Sequence, residues 1–228
     1  MASPSSYAAL VTGGTGRLGR VVADRLEREA FRVKAAGRAD GDLRSAAVAR
    51  ALVERTAEEL DGLDLVVHAA GEGFVPRPVA DVTEEDWEAA FGATTKGSFF
   101  VAQAAAPHLR ESELGLLVLV EDVAAYQPWP SFAAHCAAKA AQAMLTRVLA
   151  RALAPDVRVC GIAPGPVAVA PEQEERRAAE TLLQRVGSPE DVAEAVVYLT
   201  RAGFVTGTSL VVDGGRLLGP GTRNPLQG

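Results

Sequence analysis

Lysine is nearly absent from this chain of 228 residues, which has only Lys34, Lys96 and Lys139. Its other basic residues are arginines, and 29 acids against 23 bases leave a net charge of −6. That sign is wrong for binding a phosphate backbone, so nucleic acid is not an expected partner. Cysteine is equally scarce. Cys136 and Cys160 have no metal-ligand spacing and make no disulfide framework, so no metal is expected, and a reducing cytoplasm is the expected setting. Long apolar runs are lacking too. LGLLVLV (114–120) fills a buried strand but falls far short of a bilayer span, so a membrane is not an expected partner. The start, MASPSSYAAL, has no basic stretch leading into a long apolar one, and no signal peptide is read there.

What is present suits one α/β domain over residues 1–228. The chain is 48% hydrophobic, enough to bury one sizeable core. Strand-length apolar runs at 7–12, 31–36, 63–69, 114–120, 157–162 and 209–213 alternate with segments of helical period. Thr83-Glu-Glu-Asp86 predicts an N-cap for a helix running to about Ala106. Residues 130–153 read as a second long helix, and Ser188-Pro189-Glu190 opens the last one. The alternation predicts a doubly wound, Rossmann-like parallel sheet with helices on both faces. The Gly/Pro-rich tail, 219–228, is expected to be mobile.

Two places carry chemistry. VTGGTGRLGR (11–20) lies between the first strand and the first helix, where glycines let the backbone approach a pyrophosphate at a helix N-terminus. The second strand ends AAGR, with Arg38 where a dinucleotide's adenosine ribose lies. An acid there suits a 2′-hydroxyl and an arginine a 2′-phosphate, so Arg38, with Arg17 in the Gly-rich turn, favours NADP(H). The competing reading of Arg38 is a solvated strand-end residue. The other place is FAAHCAAKAA (132–141), whose His135 and Lys139 are spaced to leave one helix face together.

The ordered set of motifs resembles the short-chain dehydrogenase/reductase family over nearly the whole chain. TGGTGRLG resembles its glycine motif, which implies cofactor contacts from Gly13, Thr15, Arg17, Leu18 and Gly19. HAAG (68–71) resembles the Asn-Asn-Ala-Gly turn and implies contacts from Ala69, Ala70 and Gly71. His135 and Lys139 fall on the Tyr-x-x-x-Lys motif. IAPGPV (162–167) resembles the turn over the nicotinamide, implying Pro164, Gly165 and Val167 for cofactor and Pro166 for substrate. Arg17, the Asp122 of DVAAYQPWPSFAAHCAAK, and FVPRP (74–78) are similar to the pteridine reductase and dihydrofolate or dihydromonapterin reductase branch. By that resemblance Phe74 and Arg17 hold substrate; Trp129 is read separately as lining the substrate mouth. The resemblance also implies a homo-oligomer, tetramer or dimer, packed through the long helices.

Three departures from the family stand out. His135 takes the place of the tyrosine and Thr94 that of an asparagine. GRADGDLRS (37–45) is too short for the family's helix and strand before the pair matched to Asp42-Leu43 near the adenine, so one edge strand and helix are expected to be missing. The family reaction transfers hydride from nicotinamide to a carbonyl or imine, with a proton supplied by the tyrosine. A histidine must be an imidazolium to supply it. A lysine one turn away disfavours that state, while a carboxylate at Asp122 favours it. Two main readings stay open: an NADPH-dependent reductase of a small planar substrate, a pterin among the candidates, with Asp122 and His135 delivering the proton; or an NADP(H)-binding protein without turnover, a sensor or oligomer partner, whose tetrad has decayed to Thr94, Asp122, His135 and Lys139. In a third, His135 is a surface residue with no role. Tyr126 is weighed as a substitute acid against a packed loop aromatic, and His68 as a structural histidine. Residues 171–180 read as a polar helix over the substrate, against an ordinary solvated helix.

Overall fold

The computed structural model describes residues 7–71 and 75–219. Six parallel strands form one sheet in the order β2-β1-β3-β4-β5-β6: β1 Ala8–Thr12, β2 Arg32–Ala36, β3 Leu65–His68, β4 Leu116–Val120, β5 Arg158–Pro164 and β6 Ser209–Val212. The central strands are buried on both faces, and their side chains alternate between two cores. Leu10, Val66, Leu117 and Val159 are paired across the sheet and face one core. Their neighbours Val11, Val67, Val118 and Cys160 face the other. The first core is closed by α2 (Ala46–Glu59), α4 (Gly97–Arg110) and α5 (Ala133–Leu153). The second is closed by α1 (Arg17–Arg28) and α7 (Pro189–Arg201), whose Val22, Leu26, Val192 and Val196 recur at helical spacing. This is the doubly wound α/β arrangement expected from the alternation.

The short segment after β2 behaves as its length dictates. A 3-10 turn, Arg38–Asp40, leads through Gly41 and Asp42-Leu43 into α2, and β2 is the sheet edge, with no strand beyond it among the described residues. Asp40 turns back to accept the Gly37 amide hydrogen at 2.8 Å.

One expectation needs correcting. The helix opened by the Thr83–Asp86 capping box does not run unbroken to Ala106. It stops as α3 (Glu84–Phe91), passes through a π turn, Gly92–Lys96, and resumes as α4, which extends to Arg110. The cause lies outside the helix. A Cβ on Gly92 would stand 2.8 Å from Arg44 Cγ, so only glycine lets that side chain cross. The Ala93 carbonyl accepts a hydrogen bond from His68 Nε2 at 3.2 Å, which rewards a wider turn. The polar stretch 171–180 is likewise a 3-10 turn, Pro171–Gln173, followed by the short α6, Glu174–Ala179.

His68 is therefore structural. The Ala93 carbonyl only accepts, so Nε2 carries the hydrogen, and Nδ1 accepts from Thr12 Oγ1 at 2.9 Å. Burial pushes its pKa down to about 4, from an ordinary 6.5. The neutral ring is then the folded form, and the unfolded chain binds the extra proton between those values. Its contribution is complete above pH 6.5 and is lost as pH falls through 4, on the order of 3 kcal/mol in all. Urea unfolding at pH 7 and pH 4 is expected to show this acid loss in the wild type and a shallower one in His68→Gln. The turn below makes a second prediction. A Cβ on Gly19 would lie 2.2 Å from the Gly13 carbonyl oxygen. Gly19→Ala is expected to cost about 2 kcal/mol of unfolding free energy, read from the urea midpoint.

Candidate active site

The carboxyl ends of β1, β2 and β3 open onto a cleft of about 490 Å³. It is lined by Gly13, Thr15 and Gly16 from the Gly-rich turn, by Gly37 and Arg38 from the end of β2, and by Ala69, Ala70 and Gly71 after β3. Gly41, Asp42, Leu43, Arg44 and Ala93 complete it. Gly13 has φ +69°, and a Cβ there would lie 2.7 Å from the Ala69 carbonyl, so glycine alone lets the two turns close on each other. The N-cap of α1 is Gly16, which caps with no side chain, and the first turn has no acid. The contrast with α7 is direct, since Ser188 and Asp191 fill that terminus. Bare N–H groups and a helix dipole beside a cleft suit a pyrophosphate, and the cleft thus fits a dinucleotide cofactor.

Thr15 packs over Gly37, where a Cβ would meet Thr15 Oγ1 at 2.2 Å. Arg17 is exposed on the first turn of α1, Leu18 packs into the second core and Gly19 is buried beneath Gly13. Asp42 is tied to Arg44 through Nε and Nη2, and those bonds hold its carboxyl down at about 2. Arg44, which sequence reasoning passed over, thus brings a second guanidinium to the cleft that Arg38 lines.

At the ends of β4 and β5 the picture is tighter. Asp122 follows β4 and caps the 3-10 turn Val123–Ala125, accepting from the Ala124 amide at 2.8 Å through Oδ1. Its Oδ2 lies 3.4 Å from His135 Nε2. His135 is 8% exposed, so it is not a surface histidine. It shares a cavity of about 100 Å³ with Thr94, which sits in the π turn with its hydroxyl 3.6 Å from where a Cβ on Gly71 would be. One turn along α5, Lys139 is buried and donates to the Val120 carbonyl at 2.9 Å and to Gln142 Oε1 at 3.0 Å. Burial pulls its pKa down to about 8, against the pull of Asp122 and Glu121.

Trp129 stacks on His135, with ring centroids 6.3 Å apart and planes 14° from parallel. Arg216 stands over the Trp129 ring at 4.9 Å and pairs with Glu180 at the end of α6, at 3.0 Å. Nothing in the local sequence around Arg216 signals this, because the contact joins the segment after β6 to the one after β4. Tyr126 is no substitute acid here. Its hydroxyl donates to Glu121 Oε2 at 2.9 Å, and burial raises its pKa. Cys136 Sγ packs 4.0 Å from the Gln127 and Trp129 carbonyl oxygens. Pro164 ends β5, and the Gly165 amide bonds to the Val212 carbonyl at 3.0 Å. Val167 bridges to Gly187. Pro166 opens instead on a hollow of about 400 Å³ shared with Leu182 and residues 210–215, distinct from the cavity that His135 lines. Phe74 lies outside the described residues.

Comparison with known proteins agrees with this geometry. Residues 16–216 match the family model described as enoyl-(acyl carrier protein) reductase. A ketoacyl reductase named for the granaticin polyketide synthase of Streptomyces violaceoruber is 35% identical, over 93% of this chain and 97% of its own length. A relative from Xanthobacter autotrophicus, named an inactive 2-(S)-hydroxypropyl-CoM dehydrogenase, is 37% identical over 74% of this chain and 78% of its own. The solved 3-ketoacyl-(acyl-carrier-protein) reductase from Brucella melitensis, complexed with NADH, superposes with a TM-score of 0.87 at 25% identity, over 94% of this chain and all of that one. With its parallel sheet, its bare helix terminus at a dinucleotide-sized cleft and these relatives, the chain belongs to the short-chain dehydrogenase/reductase family of nicotinamide-dependent oxidoreductases.

Proposed function

We propose that this chain is an NADP(H)-dependent reductase of a carbonyl or imine in a small planar substrate, a pterin among the candidates. The observation that carries the reading is the convergence of Asp122, His135 and Lys139 beside the cleft, with His135 Nε2 3.4 Å from the Asp122 carboxylate. The bound cofactor supplies the hydride. Lys139 holds a ribose hydroxyl with an ammonium hydrogen. His135, as imidazolium, gives its proton to the substrate oxygen or nitrogen as the carbon is reduced, leaving an alcohol or amine. Asp122 pairs with that imidazolium across the 3.4 Å contact. The Trp129 ring lies nearly parallel to the imidazole, with centroids 6.3 Å apart.

The Arg38 guanidinium supports the 2′-phosphate form of the cofactor. Arg38 lines the cleft at the end of β2, and Arg44 enters the same cleft. The exposed Arg17 adds charge at the mouth. Phe99 on α4 and Met144 and Val148 on α5 leave apolar side chains exposed, which supports a homo-oligomer, dimer or tetramer, joined through these helices. The two unbridged thiols suit a cytoplasmic setting.

A second reading has its own support. Where the family resemblance expects a tyrosine the chain has His135, and the 37%-identical relative is named inactive. In that case the chain binds NADP(H) as a sensor or oligomer partner without turnover. The experiment separates the two. Calorimetry is expected to show NADPH binding about tenfold or more tighter than NADH, and equal affinities count against the NADP(H) assignment. NADPH oxidation is then followed from pH 5 to 8 with dihydropterins, dihydrofolate, quinones and aldehydes, for wild type, His135→Ala and His135→Tyr. The reductase reading expects His135→Ala to lose about a hundredfold in kcat. NADPH binding with no turnover on any substrate selects the second reading, and a gain in His135→Tyr would show that only the proton donor is lacking.

A further inference from the structure

Gln142 is fully buried on α5, three residues after Lys139 and on the same helix face. A buried amide must have both ends satisfied. Its Oε1 accepts from Lys139 Nζ at 3.0 Å, and its Nε2 donates to Ser98 Oγ at 2.8 Å.

The direction of this amide is set from outside. The Thr94 carbonyl, in the π turn, can only accept, and Ser98 Oγ donates its one hydrogen there. Ser98 therefore has only lone pairs to offer Gln142. The amide must turn its NH2 towards Ser98 and its carbonyl towards Lys139. The order Thr94–Ser98–Gln142–Lys139 thus runs one way, from the irregular helix to the ammonium. Lys139 spends two of its three hydrogens on the Gln142 and Val120 oxygens, which fixes where the third points.

We propose that Gln142 is a positioning residue, which holds the Lys139 ammonium in the direction a cofactor ribose needs and is itself oriented by the π turn through Ser98. The inference rests on the reading above that Lys139 anchors the ribose. Four titratable groups surround the ammonium. Asp122 and Glu121 lie at the end of β4 and both favour the charged form. His135 lies one turn back on α5, and His68, at the end of β3, is neutral in the fold. Gln142 adds a neutral acceptor, so its loss makes the ammonium harder to keep without changing the charge of the site.

The scarcity of lysine makes the test direct. Protein labelled with 13Cε-lysine gives three signals, one of them from Lys139, whose titration midpoint is read by NMR. Gln142→Met is expected to lower that midpoint by at least about half a unit and to weaken NADPH binding about tenfold at pH 7.5. Ser98→Ala, which leaves the Gln142 NH2 unpaired, is expected to shift both in the same direction by less. Gln142→Glu keeps an acceptor and adds a charge, so the midpoint is expected to rise above that of the wild type. Circular dichroism of each variant excludes unfolding as the cause, and if Gln142→Met does not fold, Ser98→Ala and Gln142→Glu decide. An unchanged midpoint overturns the proposal, and so does a shifted midpoint with unchanged NADPH affinity, because Gln142 would then be a packing partner only. Absence of NADPH binding in the wild type would instead overturn the ribose-anchor role of Lys139, while the midpoints still report whether Gln142 holds the ammonium.

Discussion

A positive charge buried with little water around it has to be held by something, and the site is built around that need. Lys139 sits on α5 against the end of β4, almost wholly out of solvent. The strand's own last carbonyl, Val120, takes one hydrogen, and an amide on the next turn takes another. Two carboxylates, Glu121 and Asp122, follow directly and offset the charge. Burial still wins in part, since the ammonium ionises well below a solvated lysine. Remove the carbonyl or the amide and a desolvated cation is left short of partners, which is far more costly than losing a surface ion pair. Strand end, helix register and acidic pair are therefore one constraint.

The π turn meets the same constraint from the other side. A regular helix from 84 to 110 would have spent the carbonyls of Ala93 and Thr94 within its own ladder. In the widened turn the Ala93 carbonyl accepts from His68 Nε2, and the Thr94 carbonyl accepts from Ser98 Oγ beside the Gly97 amide. The first bond pins the helix to the end of β3 beside the dinucleotide cleft. The second reaches the amide that holds Lys139. The irregular helix thus ties the floor of the cleft to α5, in keeping with the tendency of such bulges to occur at functional sites.

Much of this fold was legible because its signals are local. Alternating apolar runs give the strands, capping boxes at Thr83 and Ser188 give two helix starts, and TGGTGRLG is read from consecutive residues. The shortness of 37–45 correctly implied an edge at β2. The missed features all depend on contacts between distant segments. The helix break at Gly92 needs Arg44 to cross it and His68 to meet it from β3. Gln142 reads as one polar residue in an alanine-rich helix until Ser98 and Lys139 are seen on either side of it. Arg216 reads as a tail arginine until Trp129 lies beneath it. Tyr126 looked available from its spacing, but its hydroxyl is spoken for by Glu121.

The pairing of Asp122 with His135 is best understood by what each oxygen of the carboxylate does. Oδ1 is committed to the backbone of the 3-10 turn, at 2.8 Å from the Ala124 amide, so the carboxylate cannot swing away. Oδ2 is left facing the imidazole at 3.4 Å, at the long edge of a hydrogen bond. A small inward movement of the ring would shorten that contact. Trp129 is covered by Arg216, whose other partner, Glu180, ends the short helix α6. A chain of contacts from Glu180 through Arg216 and Trp129 thus links the segment after β5 to the imidazole.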